Sequence, residues 1–448
     1  MGVSPMLVFF GELMDLLPRH PADSPRFPAE VYLQRITVPF EYPVCFTRHL
    51  FAPENPLLAD VLDRRQEGRR HRAAVFIDAG VAAAWPELVK QVKAYFHDRP
   101  AALELAGEPS IVPGGEEVKR GWEAVRDVMW TLGNLHLDRQ SFVIAIGGGS
   151  VLDMVGFAAS IVHRGLRLVR VPTTTLAQND AGVGVKNGMN EHGMKNFVGT
   201  FAPPWAVLDD FEFLRTLPAA EWIGGVAEAF KVAIIKDAAF FDCLCEHAAG
   251  LARRDEAAMA KAVRRCAVLH LEHIASGGDP FEFGSARPLD FGHWVGHRLE
   301  TLSDYALGHG QSCAVGIALD SYYAMRKGLI SAAELERILT GLSACGLPIW
   351  DDRLATRTGE GRTAEGQTGE GELAILKGLA DFREHLGGRL TITLPRGIGR
   401  SVEVHEMDAA VIAEGVAWLA ARVAPADPWA IEEEERTRTT RKKDGLHG

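Results

Sequence analysis

The chain has 448 residues, 47% hydrophobic and 24% charged, with a formal net charge of -11. That length accommodates two domains, and the composition is ordinary for a soluble globular protein. The acidic balance argues against a nucleic-acid partner. The six cysteines include no C-x-x-C pair, form no disulfide-style framework and suit a reducing cytoplasm.

Residues 1–30 read as an extension. Its apolar run Met6–Phe10 is far too short to span a bilayer, and no basic segment precedes it, so neither a membrane span nor a secretory signal is expected. A first strand region is expected over Ile36–Phe46. Buried strands follow at Ala73–Ile77, Phe142–Ile146 and Leu166–Val171. Strand and helix alternate to about Leu217, which predicts an α/β doubly wound, Rossmann-like domain over 31–217. The strand ending at Ile146 runs into Gly147-Gly148-Gly149 and then a helical pattern through Met154, Phe157 and Ala158. Such a turn lets the backbone and a helix N-terminus approach a pyrophosphate, although the spacing is not the strict G-x-G-x-x-G and glycines can be purely structural there. The next stretch, from Val171-Pro172-Thr173-Thr174-Thr175 through Asp180–Lys186 to Gly193–Asn196, gathers glycines, hydroxyls, two lysines and an asparagine. It suits an anionic ligand, with a solvated loop as the alternative.

From Ala219 the pattern becomes helical: Ala220–Leu251, Asp255–Ile274, Ser312–Lys327 and Ala332–Cys345. An all-helical second domain over 218–430 is expected. It carries Glu228 in Gly225–Lys231, His293 and His297 in Asp290–His297, and His309 in Leu307–Gly310. One carboxylate and two imidazoles with a position left open make a catalytic zinc site; a hydrogen-bonded or solvated histidine is the alternative at each. Nitrogen and oxygen donors without a thiolate also admit cobalt. Thr356–Glu372 repeats Gly-Glu-Gly and reads as a mobile loop, and 431–448 as a charged, disordered tail.

Taken together, these segments resemble 3-dehydroquinate synthase and its relatives, the sugar phosphate cyclases. The likeness runs from roughly Ile36 to Val423 and is dense from Phe142 to Ser312. Within the family, Asp279–Glu282 running into Arg287–Trp294 looks most like the homologue of the bacterial Ebo gene cluster. The resemblance implies NAD, a divalent metal (zinc, with cobalt as the alternative), a ketose phosphate substrate and a homodimer. It implies Glu228, His293 and His309 as metal ligands. Asp78, Glu116, Lys119, Gly148, Gly149, Asp153, Thr173 and Thr174 fall on NAD-contacting positions. Lys186, Lys195 and Asn196 fall on positions that hold the substrate and its phosphate, and Asp180, Lys231 and His297 on other active-site positions. Arg164 matches an arginine that reaches the neighbouring subunit's site.

Three departures bear on substrate choice. Asp290 stands where the family has an asparagine, three residues before the first metal histidine. The family's carboxylate-binding arginine falls at Ala286, one residue from Arg287. An expected lysine aligns near Glu272 or His273. On a helix, Asp290 and His293 would share a face, and an aspartate there would repel a substrate carboxylate. A neutral substrate such as sedoheptulose 7-phosphate is therefore expected; Asp290 as an orienting partner of a zinc histidine is the alternative. The rival readings are a true 3-dehydroquinate synthase, a metal-dependent polyol dehydrogenase and a non-catalytic binding protein.

Overall fold

The structure, a computed structural model, describes residue 34 and residues 36–423, apart from 193, 277–280, 282–288, 359–360, 363–367, 370 and 386–388. The expected N-terminal extension, the charged tail, Ala286 and Arg287 lie outside the described residues. The chain divides into two units, Met1–Phe40 and Glu41–Gly448. Of the first, residues 36–40 carry no regular secondary structure, and Ile36, Val38 and Phe40 are exposed. The strand expected from Ile36 begins only at Val44. Pro39 and Pro43 lack the N–H that a ladder needs, which accounts for the late start.

In the second unit the elements run β1 (Val44–Thr47), α1 (Leu57–Leu62), β2 (His71–Asp78), α2 (Ala79–Ala84), α3 (Leu88–His97), β3 (Leu103–Leu105), β4 (Ser110–Val112), α4 (Glu123–Asn134), β5 (Phe142–Gly147), α5 (Gly149–Ile161) and β6 (Arg167–Pro172). β7 (Lys186–Glu191), β8 (Met194–Phe201) and β9 (Ala206–Asp210) follow. Seven strands form one parallel sheet in the order β1-β9-β6-β5-β2-β3, with β4 also paired to β2. Every residue of β5 is buried, as expected of a strand covered on both faces. Side chains alternate between the faces with period two. Val75, Ile77 and Ile144 pack with Leu58, Val92 and Tyr95 of α1 and α3. Phe76, Val143 and Ala145 pack with Val125 and Val155 of α4 and α5. From β2 the chain moves outward to β3 and β4, then returns to the other side of β2 as β5. That reversal makes a switch point, and open α/β sheets bind ligands there, beyond the carboxyl ends of the strands. Asp78 and Gly147–Gly149 mark those ends.

The stretch read as an anion loop contains an antiparallel hairpin, β7–β8, with Lys186 opposite Phe201. Buried Arg170 on β6 fastens the chain leading into it. Its Nη1 donates to the carbonyls of Gly182 (3.0 Å) and Gly184 (2.7 Å), and its Nη2 to Lys186 O (2.9 Å) and Asn187 Oδ1 (2.8 Å).

A predominantly helical part follows: α6 (Ala219–Lys236), α7 (Ala238–Ala252), α8 (Glu256–Ser276), α9 (His293–Leu302), α10 (His309–Arg326), α11 (Ala332–Ala344), α12 (Lys377–His385) and α13 (Ala409–Val423). It is not purely helical. Ile392–Pro395 pairs antiparallel with Ser401–Val404, and Gly361–Arg362 with Thr368–Gly369 inside the stretch read as a mobile loop. Phe230, Phe241, Trp294, Ile317 and Leu339 belong to its core. Among the described residues no helix is long and apolar enough to cross a membrane.

Candidate active site

Three helices converge because glycines let their backbones touch. A Cβ at Gly310 of α10 would lie 2.0 Å from Gly224 O of α6, and one at Gly316 would lie 2.0 Å from Gly292 O at the start of α9. Neither position has room for a side chain. The convergence brings Glu228 from α6, His293 from α9 and His309 and Cys313 from α10 together, with one donor atom from each within 4.8 Å of the others. Glu228 is fully buried, and its Oε1 accepts no hydrogen bond. Its Oε1 lies 3.7 Å from His293 Nε2 and 3.6 Å from His309 Nε2, and its Oε2 is in ion-pair contact with Lys231 Nζ. The other ring nitrogens face away from the cluster: His293 Nδ1 toward Phe291 O (3.2 Å) and His309 Nδ1 toward Glu300 Oε2 (3.3 Å). Such contacts fix ring orientation and leave Nε2 aimed inward, as in metal sites with supporting partners. Burial and the Lys231 charge push the His293 pKa well down, which keeps the imidazole neutral and able to ligate. A buried carboxylate oxygen without a hydrogen bond, facing two inward nitrogens, fits a divalent cation.

The start of α9 departs from the sequence expectation. The helix begins at His293 after Gly292, whose φ of 78° is left-handed. A Cβ there would lie 2.7 Å from Ile317 N. Asp290 therefore precedes the helix and shares no helical face with His293; its carbonyl accepts the His293 N–H at 3.1 Å. Buried Asp320 holds this junction. It accepts from Gly292 N at 3.1 Å and Trp294 Nε1 at 2.9 Å. Asp320→Ala leaves two buried donors without an acceptor, at about 1–3 kcal/mol each. A loss of about 2–6 kcal/mol in denaturant unfolding is expected on that basis, together with reduced metal occupancy; wild-type stability in the variant would contradict the role.

Around the cluster, charges are paired in depth. Asp180, on the helical turn Ala177–Ala181 after β6, lies 3.0 Å from His270 Nε2 and 3.8 Å from Lys231 Nζ. Burial alone would raise the Asp180 pKa, but His270 and Lys231 hold it well below the usual carboxylate range. For Lys231, burial pulls the pKa down, and Glu228 and Asp180 outweigh it, so the ammonium stays charged. Glu300 is likewise kept ionised: His309 and Lys195 overcome its burial, while Cys313 and Glu300 push the His309 pKa well up despite burial, so His309 must give up a proton when a metal enters. The His297 ring stands 5.4 Å from His293 and 5.7 Å from His309. Burial and the neighbouring His293 push its pKa well down.

At the sheet's switch point, Gly148 caps α5 with no side-chain partner, leaving the helix N-terminus open. Thr173 Oγ1 is buried without a hydrogen bond, and Thr174 Oγ1 accepts from Ala177 N. Asp78 caps α2 by accepting from Gly80 N at 2.7 Å. A cavity of about 600 Å³ reaches from Asp78, Glu116, Gly148, Thr173 and Thr174 to Lys195, Glu300 and His309. An uncapped helix start, an orphaned hydroxyl and a glycine-lined wall fit a dinucleotide pyrophosphate.

The residues expected to meet NAD and those expected to hold the substrate form one network. Lys119 Nζ donates to Asp153 Oδ2 (2.6 Å) and Asn196 Oδ1 (2.5 Å). Glu116 accepts from Ser150 (2.8 Å) and Asn190 (2.7 Å), and Lys195 Nζ donates to Glu300 (2.7 Å). Two of the expected residues lie apart: Lys186 is exposed at the start of β7, and Arg164 is exposed in the turn after α5 with φ 65°. Neither lines the cavity. His270, Glu300, Asn190 and Cys313 were not singled out by the sequence reading. Only Cys313 left a signal, four residues after His309 on one helix.

A doubly wound sheet whose switch-point cavity opens onto a helix-borne donor cluster defines the dehydroquinate synthase-like architecture. Residues 109–224 match the 3-dehydroquinate synthase N-terminal family and 225–360 the C-terminal family. The structure superposes on 2-epi-5-epi-valiolone synthase from Streptomyces hygroscopicus subsp. jinggangensis 5008, solved with NAD+ and Zn2+, with a TM-score of 0.74 and 31% identity over 87% of this chain and 100% of that one. A 2-deoxy-scyllo-inosose synthase complexed with carbaglucose-6-phosphate, NAD+ and Co2+ matches at 21% identity, TM-score 0.64, over 83% and 95% of the two chains. A probable glycerol dehydrogenase from Sinorhizobium meliloti 1021 shares the fold at 16% identity, TM-score 0.51, over 85% and 96%. The chain belongs to the 3-dehydroquinate synthase family of sugar phosphate cyclases.

Proposed function

We propose that the protein is an NAD- and zinc-dependent cyclase that eliminates phosphate from a neutral ketose phosphate, such as sedoheptulose 7-phosphate, and closes the product to a carbocycle. The observation that carries this reading is the Glu228 Oε1, buried without a hydrogen bond, facing His293 Nε2 and His309 Nε2, with His309 itself lining the cavity from Gly148. When bound, NAD supplies a reversible hydride acceptor and the metal a Lewis acid that lowers the pKa of a substrate hydroxyl. This chain's residues bind, orient and move protons. Gly148, Gly149, Thr173 and Thr174, with Asp78, Glu116, Lys119 and Asp153, form the dinucleotide wall. Lys195, which lines the cavity, and neighbouring Asn196 supply positive and polar contacts for the phosphate, whereas Lys186, exposed at the hairpin's start, lies outside the cavity. His297, neutral near pH 7, takes a proton on a ring nitrogen. Lys231, held between Glu228 and Asp180, keeps a positive charge beside the donor cluster, and His270 holds Asp180 in place. Arg164, exposed on its turn, would complete the site of a second subunit in a homodimer, with the enzyme working in the cytoplasm.

Asp290 supports the neutral substrate. It puts an acidic residue where the family has an asparagine, on the partly exposed turn before α9, and like-charge repulsion there disfavours a substrate carboxylate. The 31% identical relative is a 2-epi-5-epi-valiolone synthase, not a 3-dehydroquinate synthase, which supports a cyclase outside the acidic substrate's reaction, and the Ebo-cluster homologue is the subgroup we favour on the sequence around Asp290. Phosphate release measured with sedoheptulose 7-phosphate and with the acidic heptulosonate phosphate of the shikimate pathway tests it. The neutral substrate should win on kcat/KM; efficient turnover of the acidic one would make the protein a true 3-dehydroquinate synthase.

A further inference from the structure

We infer that Cys313 is a fourth protein donor to the metal, entering as the thiolate. The inference rests on the reading of Glu228, His293 and His309 as the metal site. Cys313 is fully buried on α10, one helical turn from His309 and on the same face. Its Sγ lies 3.5 Å from His309 Nε2 and 3.9 Å from His293 Nε2. The Glu228 Oε1 edges to the same nitrogens are 3.6 and 3.7 Å. Zinc bond lengths of about 2.0–2.1 Å to nitrogen and 2.3 Å to sulfur put the ligand atoms of a tetrahedron about 3.3–3.6 Å apart. These four edges, with all four atoms within 4.8 Å of one another, are spaced as in one coordination shell, a little expanded, to which a substrate oxygen would add as a fifth ligand.

Two further observations point the same way. Glu228 Oε1 is buried without a hydrogen bond, so a ligand-ready carboxylate oxygen faces the same space independently of the cysteine. And Gly296 of α9 makes room for the thiol: a Cβ there would lie 3.1 Å from Cys313 Sγ and 3.2 Å from its backbone N. Glu228 already shares its charge with Lys231. A thiolate supplies a second negative charge against a divalent cation, and the thiol proton leaves to solvent as the metal enters. A sulfur donor also tilts the site toward zinc and away from magnesium, calcium and manganese, which favour oxygen.

Zinc-edge X-ray absorption on the zinc-loaded full-length protein tests this without using activity. The wild type should show one sulfur scatterer at about 2.3 Å and a nitrogen/oxygen shell at about 2.0–2.2 Å. Cys313→Ser, with Cys313→Ala as a second variant should serine disturb the packing, should lose the sulfur scatterer. Their zinc affinity in chelator competition should fall at least about tenfold, since outer partners of metal ligands alone cost that much. One zinc per chain with a nitrogen/oxygen-only shell in the wild type would overturn the cysteine inference and leave the cyclase reading standing. A sulfur signal persisting in both variants would overturn it too, by placing the sulfur elsewhere. A wild type that takes up no zinc would overturn both.

Discussion

Glu228→Ala will strip the protein of its metal and of its phosphate-releasing activity. Glu228 is the hub of the cluster: Oε1 faces both inward histidine nitrogens, and Oε2 meets the Lys231 ammonium. Removing it takes away a metal donor and leaves Lys231, 2% exposed, with only the Asp180 contact at 3.8 Å. Breaking a buried ion pair from one side costs about 3–5 kcal/mol. The variant should therefore be measurably less stable as well as metal-free. A Lewis acid contributes several kcal/mol of charge stabilisation, so activity should fall on the order of a thousandfold or more. Glu228→Gln separates the two losses, because it keeps the shape and removes the charge; it should fold better than the alanine variant and still bind little metal. Elemental analysis alongside a circular dichroism spectrum checks both. Wild-type metal content in folded Glu228→Ala would place the metal elsewhere, and His309→Ala should reproduce the loss.

Gly148→Val will cripple NAD binding while leaving the metal in place. Gly148 caps α5 at the carboxyl end of β5, and its added Cβ would sit 3.2 Å from Thr174 Cγ2. That contact is already tight, and valine's two methyl groups extend into the wall where the pyrophosphate would approach. Two charge-assisted hydrogen bonds lost at about 1.5–3 kcal/mol each weaken binding by at least about a hundredfold. Calorimetry with NAD measures it, with Gly148→Ala as the milder step between. Unchanged affinity would move the cofactor off this turn. The two variants are complementary: one loses metal, the other NAD.

The parts of the molecule legible in the sequence are those where one physical rule decides. β2, β5 and β6 carry apolar runs, β5 ending in glycine and β6 in proline, and they form buried parallel strands. Glu228, His293 and His309 stood out by residue type and order, and the fold brings them together. What escaped depends on chain geometry at a distance. The β7–β8 hairpin is rich in glycine, asparagine and lysine, poor strand formers, and is held by Arg170 reaching in from β6. His270 meets Asp180 across ninety positions, with no local pattern to announce it. The position of Asp290 turned on the single left-handed residue Gly292, where a helix had been read through. Cys313 lay in plain view at helical spacing from His309, but a nitrogen-and-carboxylate ligand set had no place for it.

The most direct test of the function is a balance sheet of one reaction mixture. With NAD and zinc present, sedoheptulose 7-phosphate should yield inorganic phosphate and a carbocycle in equal amounts, and absorbance should show no net NADH. Phosphate release without net reduction is the mark of a hydride taken and returned within one turnover. NADH accumulating in step with oxidation of a simple polyol, and no phosphate released, would make the protein a dehydrogenase on the same fold.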